Sequence, residues 1–199
     1  MDMLNQIQTI NQNLLFYFNS FAINPVVKAM VIIFADLPIF FLPIFLVWYW
    51  IYYTKTRESN KKGNLLFIFY STVIAIVINM IIQKFIYIQR PLAFLWAKAH
   101  FILNHIPDAS FPSDHASVWF AFLVSLYLFG YKKIYYYFLP IVLVMLLSRV
   151  IAWVHWPFDI VAWIIVWIVS AYIVYMMKNL GFIKKLNSYI IKIAQSIKL

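Results

Sequence analysis

Two polar clusters stand out from an otherwise apolar chain: Phe111-Pro112-Ser113-Asp114-His115, and Ser148-Arg149 followed by His155 and then Asp159. Lys84 and Arg90 precede them. The cations Lys84, Arg90 and Arg149, the Ser113 hydroxyl and the free amides of a helix starting at Asp114 all suit an oxyanion such as phosphate, because each offers positive charge or a donor. Two histidines complete the set. A neutral imidazole is a competent nucleophile toward phosphorus, and Asp159, four residues beyond His155 across a turn, could hold its tautomer and stabilise the cation that forms. His115 could then protonate the leaving oxygen.

These residues cooperate only if the elements carrying them bring them to one side. The run between the clusters is almost wholly hydrophobic and is broken at Gly130-Tyr131-Lys132-Lys133, which reads as a turn. A helical hairpin then returns the second cluster to the first. With 199 residues, 65% hydrophobic content, 11% charge and a mean hydropathy of +0.85, the chain lies outside the range of soluble globular domains. It reads as a single all-α domain over residues 1–199, a polytopic transmembrane bundle, with no internal repeat or composition shift to mark a second unit. Zero cysteines exclude disulfides and thiolate chemistry.

A bilayer core of roughly 30 Å needs roughly 20 apolar residues in a helix, and about five stretches qualify. The first lies within Val26 to Tyr53, with Asp36, Pro38 and Pro43 inside it; because Thr54 to Gly63 reads as solvated, the spanning part is the latter two-thirds. Leu65 to about Gln83 is the second, and Pro91 marks a boundary because it disfavours helix at Arg90. A polar connection from Leu92 to Pro112 follows, with an aromatic patch at Phe94 to Trp96. Ser113 is placed to cap a helix from Asp114 to about Phe129, its hydroxyl accepting from free amides. The fourth span runs from Ile134 to about Trp153, and Pro157 suits the first turn of a fifth that ends near Met177. Met1 to Ser20 lacks the features of a cleaved signal and is expected to be retained. Its apolar Leu4, Ile7, Ile10, Leu14 and Phe18 recur at helical spacing, which fits either an amphipathic helix on the membrane surface or a first helix packed on the bundle.

The net charge of +10 is explained by where the bases fall, so no nucleic acid is implied. If the Thr54–Gly63 loop is cytoplasmic, that side holds Lys55, Arg57, Lys61, Lys62, Lys132, Lys133, Lys178, Lys184, Lys185, Lys192 and Lys198, eleven of the 16 basic residues. The C-terminus is then cytoplasmic and both clusters face outward. Residues 178–199 read as a basic amphipathic tail on the anionic inner leaflet or as a solvated one. On this layout Lys84, Arg90, Ser113, His115, Arg149, His155 and Asp159 all sit at the outer ends of helices, where polar groups are costly unless they have a purpose.

Together these motifs resemble the type 2 phosphatidic acid phosphatase superfamily, with its Lys followed by Arg-Pro, its Pro-Ser-x-His, and its Ser-Arg with five residues to His and three more to Asp. Pro112, Ser113, Asp114 and His115 match the second motif, and Ser148, Arg149, His155 and Asp159 the third. The first departs: five residues separate Lys84 from Arg90-Pro91 where six are usual. On a helix that offset turns Lys84 by roughly 100°. The Pro-Ser-Asp-His variant is similar to bacterial undecaprenyl pyrophosphate phosphatases of the bacitracin-resistance type. The resemblance spans residues 84–159 by motif. It implies that His155 attacks phosphorus to form a phosphohistidine, with Asp159 as orienting partner and His115 as general acid. Lys84, Arg90, Ser113, Asp114 and Arg149 would bind phosphate, and neither metal nor cofactor is expected. The implied reaction is hydrolysis of undecaprenyl diphosphate, a polyprenyl diphosphate lipid, at the extracytoplasmic face of a bacterial inner membrane. Phosphatidylglycerophosphate, phosphatidic acid or lipid A phosphatases fit the third motif equally, and a lipid transporter or scramblase is a remoter reading.

The residues also have plainer readings. Asp114 is either a first-turn acid favoured by the helix dipole or a shaper of a diphosphate site. Asp36 is either a substrate-site or interfacial residue, or a helix-start acid or buried partner of a nearby base. Lys28 and Lys98 read as snorkelling cations. His100, His105 and Asp108 have no spacing that fits a metal site.

Overall fold

In the computed structural model, which describes residues 3–94 and 109–197 apart from the side chains of residues 4 and 161–166, the chain is all α-helical with one isolated antiparallel bridge, Gln89 to Ala109. Helices α1 (Met3–Ser20), α2 (Pro25–Asp36), α3 (Phe41–Lys55) and α4 (Ser59–Phe85) precede the short α5 (Pro91–Phe94). Then come α6 (Asp114–Leu128), α7 (Lys132–Ile151), α8 (Pro157–Met177) and α9 (Gly181–Ser196). Lys98, His100, His105, Asp108, Lys198 and the Leu95-Trp96 part of the aromatic patch lie outside the described residues.

The expected hairpin is present. Gly130 takes φ +90°, a left-handed conformation open to a residue without Cβ, and there the chain reverses from α6 into α7. α6 is the axis of the bundle: Ala116 through Leu123 are all buried, and the helix packs against α4, α7 and α8. Its 15 residues span only about 22 Å. That is tolerable because protein rather than lipid surrounds it. Three stretches, Pro25–Lys55, Ser59–Phe85 and Lys132–Ile151, are each long and apolar enough to cross a membrane. The core between α3, α4, α6 and α7 is built from Leu42, Phe45, Leu65, Ile68, Trp119, Phe122 and Met145. Phe122 meets Phe45, Trp119 and Phe138 edge to face, at centroid distances of 5.2, 5.4 and 5.7 Å. Outward faces carry Ile33, Ile44, Trp48, Val73 and Met80, a surface suited to hydrocarbon.

Two boundaries differ from the sequence reading. The first apolar region is not limited to its latter two-thirds: it runs through α2 and α3, interrupted by a 3-10 turn at Leu37–Phe40. Pro38 has no N–H to give the Phe34 carbonyl, so the α-helix cannot pass through it. The Thr54–Gly63 loop shrinks to a turn of three residues, because α4 starts at Ser59 and continues past the apolar zone. α3 ends with Arg57 at φ 58°, and Glu58 and Arg57 donate back to the Tyr53 and Thr54 carbonyls.

Polar bonds tie α4 to α6 through the apolar interior. The Ser125 hydroxyl donates to Ser71 Oγ at 2.6 Å, Ser117 Oγ donates to Asn79 Oδ1 at 3.0 Å, and Asn79 Nδ2 donates to Asp114 Oδ1 at 2.9 Å. Without water to compete, such bonds set the register of one helix on another. Both terminal helices dock. α1 buries Asn11 and Leu15 against α7 and α8, which favours the packed helix over one lying free on the surface. α9 is pinned to α4 by Tyr70 Oη donating to Asn187 Oδ1 at 2.8 Å, with Lys184, Lys185 and Lys192 exposed.

Asn79→Ala removes the partner of both Ser117 and Asp114. We expect it to lower stability by about 1 kcal/mol, read from unfolding in mixed micelles, and to lose most of that effect in a Ser117→Ala, Asp114→Ala background. An unchanged midpoint would show that these bonds do not hold α4 on α6.

Candidate active site

The turn after α7 fixes the second cluster. Trp153 takes φ 62°, which ends the helix. Trp153 N then donates to the Val150 carbonyl at 3.0 Å and Val154 N to the Arg149 carbonyl at 3.0 Å, the paired bonds of a Schellman closure. His155 N leans on the same Arg149 carbonyl at 3.4 Å. Arg149 and His155 are thus joined through one backbone oxygen, which accounts physically for the five residues between them. Four residues beyond His155, Asp159 caps the start of α8, its Oδ2 accepting from Trp156 N at 3.0 Å behind Pro157.

A second piece of backbone closes over this turn. Ser110 N donates to the Ile88 carbonyl at 2.6 Å, Trp156 Nε1 to the Gln89 carbonyl at 2.9 Å, and Leu92 N to the Trp153 carbonyl at 3.2 Å. Ser110 is thereby set between the two supposed partners. Its hydroxyl donates to Asp159 Oδ2 at 2.5 Å, and its carbonyl lies 2.7 Å from His155 Nδ1. Asp159 is therefore not seen gripping His155 directly, as the sequence reading had it; it holds Ser110, and Ser110 holds the ring. A carbonyl can only accept, so Nδ1 carries the hydrogen and Nε2 the lone pair. Ser110 escaped the sequence reading because a serine in a polar loop carries no signal of its own.

Gln83, Arg90, Ala109, Pro112, Ser113, Asp114, His115, Arg149 and His155 line one cavity of about 120 Å³. A water's share of liquid volume is about 30 Å³, so the cavity is of the size for one small polyatomic group. Six of the eight sequence-predicted residues meet here: Arg90, Ser113, Asp114, His115, Arg149 and His155. Asp159 stands behind Ser110. Lys84 is solvent-exposed and does not line the cavity, whereas Gln83 does, donating from Nε2 to the Pro112 carbonyl at 3.1 Å. The first motif is one residue short before Arg90, and on a helix that offset of about 100° puts Gln83 rather than Lys84 toward the cavity.

Ser113 also departs from expectation. Its backbone has the extended conformation of an N-cap, and Ser117 N donates to its carbonyl at 2.9 Å. Its buried hydroxyl, however, makes no capping bond and has no partner among the described residues. The hydroxyl and the first amides of α6 are donors of the kind that can bind an oxyanion. Asp36 is the unassigned acid that the fold delivers to the site. Arg149 Nη1 donates to Asp36 Oδ1 at 2.6 Å and to the Ala35 carbonyl at 2.9 Å, and His115 Nε2 is 3.6 Å from the same carboxylate. Of the two readings open for Asp36, the structure supports partnership with a buried base at the edge of the site.

His155 is 1% exposed, and burial first, then the charges of Arg149 and Arg90, push its pKa well below the usual 6.5. The cavity therefore gathers a neutral imidazole with a basic Nε2, two guanidinium groups, a hydroxyl and helix-end amides. That arrangement can bind a phosphoryl group and attack it.

A model of the PAP2 superfamily matches residues 64–182, more than half of the chain and all of the cavity's lining. The bacitracin transport permease protein BcrC of Bacillus licheniformis is 28% identical over 176 residues, 88% of this chain and 82% of that protein. The undecaprenyl-diphosphatase BcrC of Bacillus subtilis strain 168 is 25% identical over 160 residues, 79% of this chain and 78% of that protein. No solved structure matches the chain.

Because the folded pKa of His155 lies below its unfolded value, its contribution to stability is complete above pH 6.5 and is lost as the pH falls through 6.5 toward the folded value. Nitrogen NMR of the ligand-free protein should accordingly find His155 as the neutral, Nδ1-protonated tautomer still at about pH 6. An imidazolium spectrum at that pH would contradict the geometry.

Proposed function

The chain belongs to the PAP2 superfamily, and from that premise we propose that this membrane phosphatase hydrolyses undecaprenyl diphosphate to undecaprenyl phosphate and inorganic phosphate at the extracytoplasmic face. The observation that carries the reading is the shared cavity, in which a buried neutral His155 meets Arg90 and Arg149. The name of the Bacillus subtilis relative supports this substrate.

The reaction runs in two displacements. His155 Nε2 attacks the terminal phosphorus as the bond to the leaving oxygen breaks, and His115 gives that oxygen a proton. Arg90, Arg149, the Ser113 hydroxyl and the amides at the head of α6 hold the equatorial oxygens, where charge is concentrated as the bonds rearrange. The Ser110 carbonyl, itself held by Asp159, steadies the Nδ1 hydrogen as the ring becomes positive. In the second step His115 takes a proton from water, the water oxygen attacks phosphorus, the phosphorus–nitrogen bond breaks, and phosphate leaves. The face follows from the distribution of basic residues, which favours a cytoplasmic C-terminus in a multi-pass bacterial inner-membrane protein. Depleting the diphosphate lipid at that surface would remove the lipid for which bacitracin competes.

A second reading keeps the chemistry and changes the lipid, since glycerophospholipid monophosphates present the same terminal group to the cavity. The name of the Bacillus licheniformis relative favours transport instead. Against it, the charged groups of the site gather at one end of the bundle. The buried polar side chains between α4 and α6 are bonded to each other across the interface rather than lining a path.

Phosphate release by purified protein in detergent, from undecaprenyl diphosphate, phosphatidylglycerophosphate and phosphatidic acid in parallel, should be fastest with the first. Inhibition by vanadate should accompany it, and His155→Ala should abolish activity by about a thousandfold or more. Preference for a glycerophospholipid would replace the substrate and leave the mechanism. Full activity in His155→Ala would remove the nucleophile from the site. In the same assay Arg90→Ala should lose about a hundredfold, while Lys84→Ala should stay within about threefold. A loss for Lys84→Ala equal to that of Arg90→Ala would mean that the lysine swings into the cavity when substrate arrives.

A further inference from the structure

Asp36 lies outside every matched motif and before the residues matched by the family model, yet it is held among the site's charged groups. Its position follows from the break in the first apolar region. α2 stops at Asp36, the Pro38 turn redirects the chain, and the packing of α2 against α7 sets the carboxylate at Arg149. One oxygen serves two partners: Asp36 Oδ1 is 2.6 Å from Arg149 Nη1 and 3.6 Å from His115 Nε2.

The two contacts have different consequences. Arg149 is 1% exposed, and Asp36 together with the Ala35 carbonyl occupies Nη1. The Nε of Arg149 is buried with no partner among the described residues, and Arg149 lines the cavity. Fixing one end of the planar fork thus leaves the Nε edge available to an oxyanion. At His115 the carboxylate sets a negative charge beside the ring that has to give up a proton. Among the described residues, the other charged or titratable groups that line the same cavity as His115 are Arg149 from α7, Arg90 from the segment before α5, His155 from the α7–α8 turn, and Asp114 on its own helix. Asp114 has Oδ1 engaged by Asn79, and the two arginines oppose a positive imidazole. Asp36, with an oxygen 3.6 Å from His115 Nε2, adds its charge to that of Asp114 in offsetting them.

We infer that Asp36 is a positioning residue for phosphoryl transfer, anchoring Arg149 by one end and keeping His115 in the form that can protonate the leaving oxygen. This rests on the phosphatase reading above. In the first displacement the electron pair of the breaking phosphorus–oxygen bond passes to the leaving oxygen, the proton moves from His115 to that oxygen, and the ring becomes neutral. When water later attacks, its proton returns to His115 and the ion pair with Asp36 is restored.

A purely structural counter-ion for Arg149 would affect all substrates alike, whereas support of a general acid matters most where the leaving group is poor. The test compares full-length wild type and Asp36→Asn in detergent on undecaprenyl diphosphate, dodecyl phosphate and p-nitrophenyl phosphate. Dodecyl phosphate must expel an alkoxide, and p-nitrophenolate leaves without a proton. Asp36→Asn should raise KM for all three through Arg149 and lower kcat for dodecyl phosphate at least about tenfold more than for p-nitrophenyl phosphate. In a His115→Ala background that difference should vanish. Asp36→Glu, which keeps the charge, should restore the wild-type ratio of the two kcat values, and it carries the comparison if Asp36→Asn does not fold. Equal losses in kcat on both substrates, or a ratio that Glu fails to restore, overturn the inference while leaving the phosphatase reading intact. A wild-type protein that releases phosphate from none of the three overturns that reading and the inference with it.

Discussion

Burial of the Arg149 guanidinium is the constraint around which the site end of the bundle is arranged. A cation withdrawn from water is tolerable only with a counter-charge and hydrogen-bond acceptors beside it, and removing a partner from such a group costs several kcal/mol. Here the counter-charge comes from α2, the acceptor from a carbonyl at the end of α2, and the backbone geometry from the Schellman closure at the end of α7. The same Arg149 carbonyl that closes the helix also receives the His155 amide. Arg149 and His155 are therefore not independent additions to a scaffold; moving one shifts the other.

The support behind the His155 ring is likewise built from backbone more than from side-chain pairs. The His155 ring is oriented by the Ser110 carbonyl, whose place depends on the return of the 86–90 segment beside residues 109–110. Asp159 contributes at one remove, through Ser110 and through the cap of α8. A carboxylate working this way keeps the start of a helix and the neighbour of the imidazole in step. The arrangement suits a bundle whose helices meet at the site from different directions.

Much of this was legible beforehand, and the reasons differ residue by residue. In so apolar a chain, Ser113, His115, Arg149, His155 and Asp159 stand out by type, and Gly130 announces the reversal that brings them together. Helical arithmetic also explains Lys84: one residue fewer before Arg90 turns its side chain by about 100°, and Gln83 faces the cavity in its place. What could not be read are contacts made across long separations by residues with weak signals. Asp36 meets Arg149 from 113 positions away, and Ser110 meets Asp159 from 49. The start of α4 at Ser59 was hidden because a polar stretch is compatible with a loop or with a helix rising past the bilayer.

Trp153 shows how far the shape of this end is set from a distance. Its left-handed backbone costs a residue with a Cβ about 1–2 kcal/mol, a cost glycine would avoid. The indole, however, is 2% exposed and packs against Leu15, Val150 and Trp156, with Phe16 edge to face at 5.4 Å. Losing a buried tryptophan costs about 3–5 kcal/mol, so packing outweighs conformational preference. Its neighbours Leu15 and Phe16 belong to α1, whose Asn11 accepts from Phe158 N and whose Asn19 donates to the Ile151 carbonyl. The chain's first helix is in effect a template against which a disfavoured bend is moulded. A fragment from α4 to α8 would contain all three motifs and still lack the surface that gives that bend its form.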